Sequence, residues 1–180
     1  MFIRAALVLS LCAQVCVAYA QDSRKPPKRA ETPFSVFVTA TPDDHVEQIE
    51  EARVELAKRL GKNKKWFRLV DSAEEAEIVV DLSAYWTRSE RRYMSTWGVV
   101  PPTEGGQPDK TQIIEIITYH SIRGEVGFFG AKRIVEASKK RNERGRAKDA
   151  VKNFVSELER IVKQEYWALM ARREAMLKSS

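Results

Sequence analysis

The chain has 180 residues, with 31 lysines and arginines against 25 aspartates and glutamates, which gives a formal net charge of +6. This length suits one domain of ordinary size with short additional segments. Both cysteines, Cys12 and Cys16, fall within the first twenty residues. Loss of that segment on export would therefore exclude a disulfide, a thiolate nucleophile and a cysteine-ligated zinc site.

The amino terminus is typical of a secretory signal peptide. Arg4 gives it a basic start, residues 5–20 are largely apolar, and the segment ends in the small-x-small sequence Ala18-Tyr19-Ala20. We predict residues 1–20 to be a signal peptide cleaved after Ala20. The mature protein is then expected to be periplasmic or secreted, with no transmembrane span after cleavage.

The rest of the chain is predicted to comprise a linker and one folded part. Residues 21–33 are polar, basic and contain prolines, which predicts a disordered basic linker. Residues 34–180 are expected to form a single α/β domain that ends in a long amphipathic helix. Because the mature chain would contain no cysteine, this domain must be stable from its core alone.

The folded part begins with a strand that runs into a helix. FSVFVTAT, residues 34–41, is rich in β-branched and aromatic residues and predicts a buried strand. Thr41, Pro42 and Asp44 form a predicted helix start, with Thr41 as the capping residue. Gly61 is predicted to end this helix in a left-handed conformation. Its core face is formed by apolar residues at three- and four-residue steps, namely Val46, Ile49, Leu56 and Leu60.

A second and a third strand are predicted after this helix. WFRLV, residues 66–70, reads as a strand, and residues 72–75 form a Ser-x-x-Glu capping box that predicts one helical turn. In the strand that starts at Ile78, strict alternation places Trp86 on the same apolar face as Ile78 and places Asp81 on the opposite, more polar face. Strand, helix and strand with short joints indicate a βαβ unit with parallel strands.

The remaining segments predict an antiparallel extension of the sheet and a final helix. They are, in order, a short strand at 93–100, an exposed loop at 101–110, a strand at 111–122, a turn at 123–125 and a strand at 131–137. A wide apolar stripe predicts a helix from near Ala147 to beyond Leu169. The predicted fold class is α/β (α+β), with a mixed β-sheet of about five strands and two long helices packed on one face.

The centre of the chain resembles a group of bacterial envelope α/β domains. The residues that carry the resemblance are Phe67, Leu69, Val70 and Asp71 at the end of one strand, then Ala76, Glu77, Val79 and Val80 in the next. The pattern is similar to that of the amino-terminal domain of TolB, the curli-secretion lipoprotein CsgG and the LpoB-type activators of peptidoglycan synthases. It covers roughly residues 34–86, with a shorter intervening segment and no lipid-modified cysteine. The resemblance implies a non-enzymatic, protein-binding module of the cell envelope, with no catalytic residues to transfer.

The sequence contains no recognisable catalytic or cofactor-binding motif. There is no Gly-x-Ser-x-Gly, no His-Glu-x-x-His and no phosphate-binding loop. The two histidines, His45 and His120, are far apart, and we interpret both as structural or surface residues. We therefore predict no catalytic residues, no metal site and no cofactor. An alternative hypothesis is an unrecognised envelope hydrolase, which would require Asp71, Asp81 and His120 to meet in one pocket.

Two segments are candidates for binding. Trp97, Val99 and Val100 lie next to a Pro- and Gly-rich stretch, where an exposed tryptophan would suit a protein contact. The second segment is a basic run formed by Lys139, Lys140, Arg141, Arg144, Arg146 and Lys148. Another envelope protein is the expected partner. An anionic surface (lipid, glycan or nucleic acid) bound through residues 139–152 is the alternative, although nucleic acid is not expected of an exported protein whose basic run lacks aromatic residues.

Overall fold

The structure is a computed structural model that describes residues 25–42, 44–95, 98–100, 112–141 and 144–179. The chain divides into two compact units. One is Lys28–Gln164, and the other contains residues 165–179.

The described residues of the larger unit form six strands and two helices. The strands are β1 (Phe34–Ala40), β2 (Phe67–Leu69), β3 (Ile78–Ser95), β4 (Gly98–Val100), β5 (Gln112–Phe128) and β6 (Ala131–Arg141). The helices are α1 (Val46–Lys62) and α2 (Ala147–Gln164). The smaller unit contains the helix α3 (Tyr166–Ser179).

The strands form one mixed sheet in the order β2-β1-β3-β5-β6, and β4 pairs with β3. β1 is parallel to both β2 and β3, as the predicted βαβ unit requires. The pairs β3–β5, β5–β6 and β3–β4 are antiparallel. The predicted α/β fold with a mixed sheet is therefore confirmed.

Both helices of the larger unit lie on the same face of this sheet. α1 contacts β1, β2 and β3, α2 contacts β5 and β6, and the two helices also contact each other. Lys148 of α2 binds Glu51 of α1, and Asn63 just after α1 donates to Glu159 of α2, so the helices run in the same direction. The core between helices and sheet is fully apolar at its centre, and it includes Val36, Ile49, Leu56, Ile78, Val80, Ile122, Val126, Phe154 and Leu158.

The start of α1 differs from the prediction. Thr41 remains in extended backbone, because its N–H donates to the carbonyl of Leu82 at 3.0 Å. The helix begins at Val46, after His45, which has a left-handed backbone (φ 55°) and makes no side-chain capping bond. The predicted end at Gly61 is also wrong, since the helix continues to Lys62.

Residues 72–75 form turns rather than the predicted helical turn. They lead into Glu77, which is tied to β1 by its side chain. Its Oε2 accepts from the N–H of Ser35 at 2.8 Å and from the hydroxyl of the same residue at 3.1 Å. Because these bonds fix the entry into β3, the short connection has no room for a regular helix.

A β-bulge in β3 overturns the predicted position of Trp86. The register with β5 shifts between Leu82 and Ala84, so that one extra residue is inserted and the alternation of side chains changes phase. Tyr85, 9% exposed, therefore lies on the helix side of the sheet. Trp86 lies on the other side, where the guanidinium of Arg123 sits 5.5 Å from the centre of its ring. We call the face opposite the helices the open face.

The hairpin between β5 and β6 turns later than predicted. Residues 123–125 continue β5, and the turn is Phe129-Gly130, with φ values of 46° and 86°. Two positive φ values are those of a two-residue turn that matches the twist of a β-hairpin, and glycine adopts the second one without strain. β6 then extends to Arg141 rather than ending near residue 137.

The predicted carboxyl-terminal helix is interrupted at Glu165, which separates α2 from α3. The regular apolar stripe also ends here. It runs from Ala147 to Val162 in α2, and the apolar residues of α3 do not share one face in the same way. Packing of the first half against the sheet is confirmed by the contacts of α2 with β5 and β6.

Candidate functional site

The predicted protein-contact segment lies at the end of a long two-stranded ribbon. Trp97 lies outside the described residues. Val99 and Val100 belong to β4, where they pair with Met94 and Tyr93 of β3. The structure thus places these two residues on a strand, within the stretch 93–100 where a strand was predicted. Their role in binding stays a prediction.

This ribbon extends beyond the body of the sheet. β1 pairs with β3 no further than Leu82, and β6 pairs with β5 no further than Thr118. Past these points β3 and β5 continue together until Met94 pairs with Gln112. We define the ribbon arm as residues 90–95, 98–100 and 112–117. Within the described residues, the arm is built from β3, β4 and β5 alone.

The basic run does not form one surface. Lys139, Lys140 and Arg141 lie in β6, where successive side chains point to opposite faces. Arg144 lies in the turn before α2. Two further members share one carboxylate, because Glu51 binds Arg146 at 3.3 Å and Lys148 at 2.6 Å, which offsets one of their two charges.

The carboxyl end of the run is held by a second acid. Arg141 Nε lies 3.5 Å from Asp149, and the N–H of Arg146 donates to the same carboxylate at 2.9 Å. Charges that are split between two faces and paired in this way do not form the concentrated cationic field that an anionic surface requires. The anionic-surface alternative is therefore not supported.

A polar cleft lies where α1 and α2 begin. It has a volume of about 390 Å³ and is lined by Glu47, Gln48, Glu51 and Arg146. The pKa of Glu51 is lowered, first by the hydrogen bond from Lys148 and then by the positive charges beside it. The Oε1 atom of Gln48 is buried and finds no hydrogen-bond partner within the described part of the chain.

A buried tyrosine–histidine pair lies at this end of the sheet. The Tyr85 hydroxyl and His120 Nδ1 are 2.7 Å apart, and the exposed ring of His45 packs edge-on against Tyr85 with centroids 5.4 Å apart. Burial raises the pKa of Tyr85, and the charge of Asp149 adds to this effect. The other side of His120 is closed by Gly145, where a Cβ atom would lie 2.4 Å from Nε2.

This packing identifies His120 as a structural residue, because no substrate could reach its Nε2 past the backbone of Gly145. Tyr85 was not predicted to be the partner of His120, because strict alternation along β3 places Tyr85 on the opposite face of the sheet. No signal in the sequence marks the bulge that reverses it. Glu51 could not be predicted either, because its partners Arg146 and Lys148 come from the distant start of α2.

The three residues of the hydrolase hypothesis do not meet. Asp81 pairs with Glu125 and faces the open side of the sheet, whereas His120 faces the helix side. Asp71 is exposed beyond the end of β2, which is an edge strand. Across the residues the structure describes, no three His, Cys, Asp or Glu side chains are grouped as metal ligands.

The fold defines a class of protein, an α/β domain whose mixed sheet is covered on one face by two helices that run in the same direction. Within its described residues, no helix is long and apolar enough to cross a membrane. No protein-family model and no curated protein sequence matches the chain.

Solved structures that are similar to the chain include two bacterial lipoproteins. The crystal structure of the rare lipoprotein B from Shewanella oneidensis is 14% identical, with a TM-score of 0.37, over 81% of this chain and 95% of that one. The solution structure of an uncharacterized lipoprotein B from Nitrosomonas europaea is 12% identical, with a TM-score of 0.36, over 85% and 90%.

Proposed function

We propose that the chain is an exported, non-enzymatic module of the bacterial cell envelope that binds another envelope protein through the ribbon arm. The signal-like segment that ends at Ala20 supports export. The separation of Asp71, Asp81 and His120 removes the one catalytic arrangement that the sequence suggested. What remains is a mixed sheet from which an extended arm continues.

The ribbon arm is the observation that carries this proposal. A two-stranded ribbon is only marginally stable by itself in water, and here it extends past the strands that flank it in the body. In the described residues, β4 already pairs with β3 at the tip of the arm, so the outer edges of β4 and β5 are the ones that can accept a further strand. Ile116 is 47% exposed on the arm, which suits contact with an apolar surface.

The proposal can be tested with a photo-crosslinking amino acid placed at Val99 of the protein expressed in bacteria. A matched control carries the same group at Val54, which is 54% exposed on α1 and lies away from the arm. We expect one discrete adduct from Val99, identified by mass spectrometry, and none from Val54. The proposal is wrong if Val99 gives no adduct, or if both positions give the same set of adducts.

Export is tested separately by the mass of the mature protein. We propose that residues 1–20 are removed and that the mature chain begins at Gln21, followed by the basic linker up to residue 33 and the folded part from residue 34. Intact-mass analysis of the periplasmic fraction should give the mass of residues 21–180. Recovery of the full 180-residue chain from the cytoplasm would contradict this proposal.

A further inference from the structure

The strand β6 forms one edge of the sheet and is unusually regular for an edge. It pairs with β5 over all eleven of its residues without a register shift, and no other described strand pairs with it. Its length is roughly 35 Å at 3.3 Å per residue. Proteins commonly protect exposed edges with bulges, prolines or charged side chains. β6 has no bulge and no proline, so its lysines and arginines are its only such protection within the described residues.

The hairpin geometry shows which backbone groups point outward. In a hairpin with a two-residue turn, the flanking residues Phe128 and Ala131 form the first hydrogen-bonded pair, and the pairs alternate from there. The N–H and C=O groups of Lys132, Ile134 and Glu136 therefore point away from β5. The next residue in this series, Ser138, confirms the direction, because its carbonyl accepts from Asn153 Nδ2 of α2 at 2.6 Å.

The side chains along this edge are strongly basic and mostly exposed. β6 carries five basic residues and one acid, a net charge of +4, to which Lys139, Lys140 and Arg141 at its end contribute three. Lys132 is paired with Glu125 of β5 at 2.6 Å. The acid, Glu136, is bound by Arg123 of β5. Ile134 lies between these charges and is 65% exposed, so it offers an apolar contact at the centre of the outward-facing segment.

The charge of the strand selects the partner. A second copy of the chain would bring another strand of charge +4 against this one, which is repulsive. An acidic strand would instead place carboxylates beside lysines and arginines while its backbone pairs with the outward groups. Acidic extended peptide is therefore the chemistry that fits this edge.

We propose that the segment Lys132–Glu136 of β6 binds an extended, acidic segment of a partner protein as an added antiparallel or parallel strand. This surface is distinct from the ribbon arm, so each proposal can fail without the other. The added strand would pair with the backbone at Lys132, Ile134 and Glu136, and an apolar residue at its centre would cover Ile134.

The test uses the purified protein and a synthetic ten-residue peptide in which glutamate alternates with valine and threonine. We expect the peptide to slow amide hydrogen exchange at Lys132, Ile134 and Glu136 by about tenfold at saturation, since exchange requires the new hydrogen bonds to open. A control peptide with the same side chains, but N-methylated at every second residue, cannot donate to the edge. It should bind at least about tenfold more weakly, on the scale of a few lost hydrogen bonds.

Two matched variants test the strand itself. Ile134→Pro removes one outward N–H without removing a bond to β5, and it should weaken peptide binding about tenfold. Ile134→Val keeps the N–H and most of the apolar contact, so its affinity should remain close to that of the unchanged protein.

Three results would overturn the proposal. The first is unchanged exchange at the three amides of the unsubstituted protein, which does not depend on any variant folding. The second is equal affinity for the N-methylated peptide, which would reduce the effect to attraction between charges. The third is a dimer in sedimentation experiments that Ile134→Pro dissociates, because the edge would then bind a second copy of the chain.

Discussion

Gly124 is the position at which the structure makes its sharpest prediction about stability. A Cβ atom added there would lie 2.9 Å from the carbonyl oxygen of Asp81, 3.0 Å from Leu82 Cδ2 and 3.2 Å from Phe154 Cζ. The first of these is a backbone atom in the neighbouring strand, and the third is in a ring of α2 that is fully buried. Neither can move without shifting β3 or α2.

The cost of Gly124→Ala can be estimated from two opposing effects. Overpacking of a tight core typically costs about 1–3 kcal/mol. Replacing glycine by alanine also restricts the unfolded chain, which recovers about 0.4–1 kcal/mol. The backbone of Gly124 is not in the left-handed region, so strain in φ adds nothing. We expect a net loss of about 1–2 kcal/mol in the free energy of unfolding.

Gly127 provides a matched control three residues further along β5. A Cβ atom there would lie 3.8 Å from the nearest atom, the carbonyl oxygen of Val79, which is ordinary contact. Gly127→Ala should therefore change the free energy of unfolding by less than about 0.5 kcal/mol or stabilise the protein slightly. Urea unfolding followed by circular dichroism measures both variants. If Gly124→Ala is as stable as Gly127→Ala, the close approach of strand and helix is not as described.

Two further substitutions address the polar end of the sheet. Tyr85→Phe removes the buried hydrogen bond to His120 and should cost about 1–2 kcal/mol, seen as a thermal midpoint lower by a few degrees; an unchanged midpoint would mean that the bond contributes nothing. The pKa of Glu51 in the folded protein lies below its ordinary value of 4.5, chiefly because Lys148 donates a hydrogen bond to it. The ionised carboxylate therefore stabilises the fold fully at pH values above 4.5. This stabilisation is lost as the pH falls through the folded-state pKa. The difference in thermal midpoint between the unchanged protein and Glu51→Gln should accordingly shrink as the pH is lowered from about 6 to about 3, and a constant difference would contradict this.

Much of the fold could be predicted because its signals are local. The apolar run in β1, the three- and four-residue spacing in α1 and the stripe of α2 each depend on neighbouring residues alone. Each helix has one apolar face, and the strands also have an apolar face that must be removed from water. Packing both helices on the sheet buries these faces together. The direct contact between the helices then places them on the same face of the sheet.

The parts that failed depend on contacts between residues distant in sequence. The entry into β3 is fixed by Ser35 and Glu77, which are 42 residues apart. The start of α1 is delayed because Thr41 pairs with Leu82. Local capping signals at Thr41 and Ser72 are genuine preferences, but hydrogen bonds to another strand outweigh them.

The binding residues could be predicted less well than the fold. Six basic residues in ten look like one patch in the sequence, yet a strand sends neighbouring side chains to opposite faces. The acid that pairs with Arg146 and Lys148 is Glu51, 95 and 97 residues away. Charge along the chain therefore predicts the total charge of a segment and not the surface on which that charge appears.

One inserted residue in β3 affects both the interior of this domain and the edge of its sheet. The bulge between Leu82 and Ala84 turns Tyr85 toward His120 in the interior and turns Trp86 toward Arg123 on the open face. Arg123 in turn binds Glu136 of β6 and removes the single negative charge from that strand's exposed surface. Without the bulge, Trp86 would enter the core and Arg123 would lose its aromatic support. The phase of a single strand thus determines both the packing of the buried pair and the pairing of Glu136, the one acid of the edge strand.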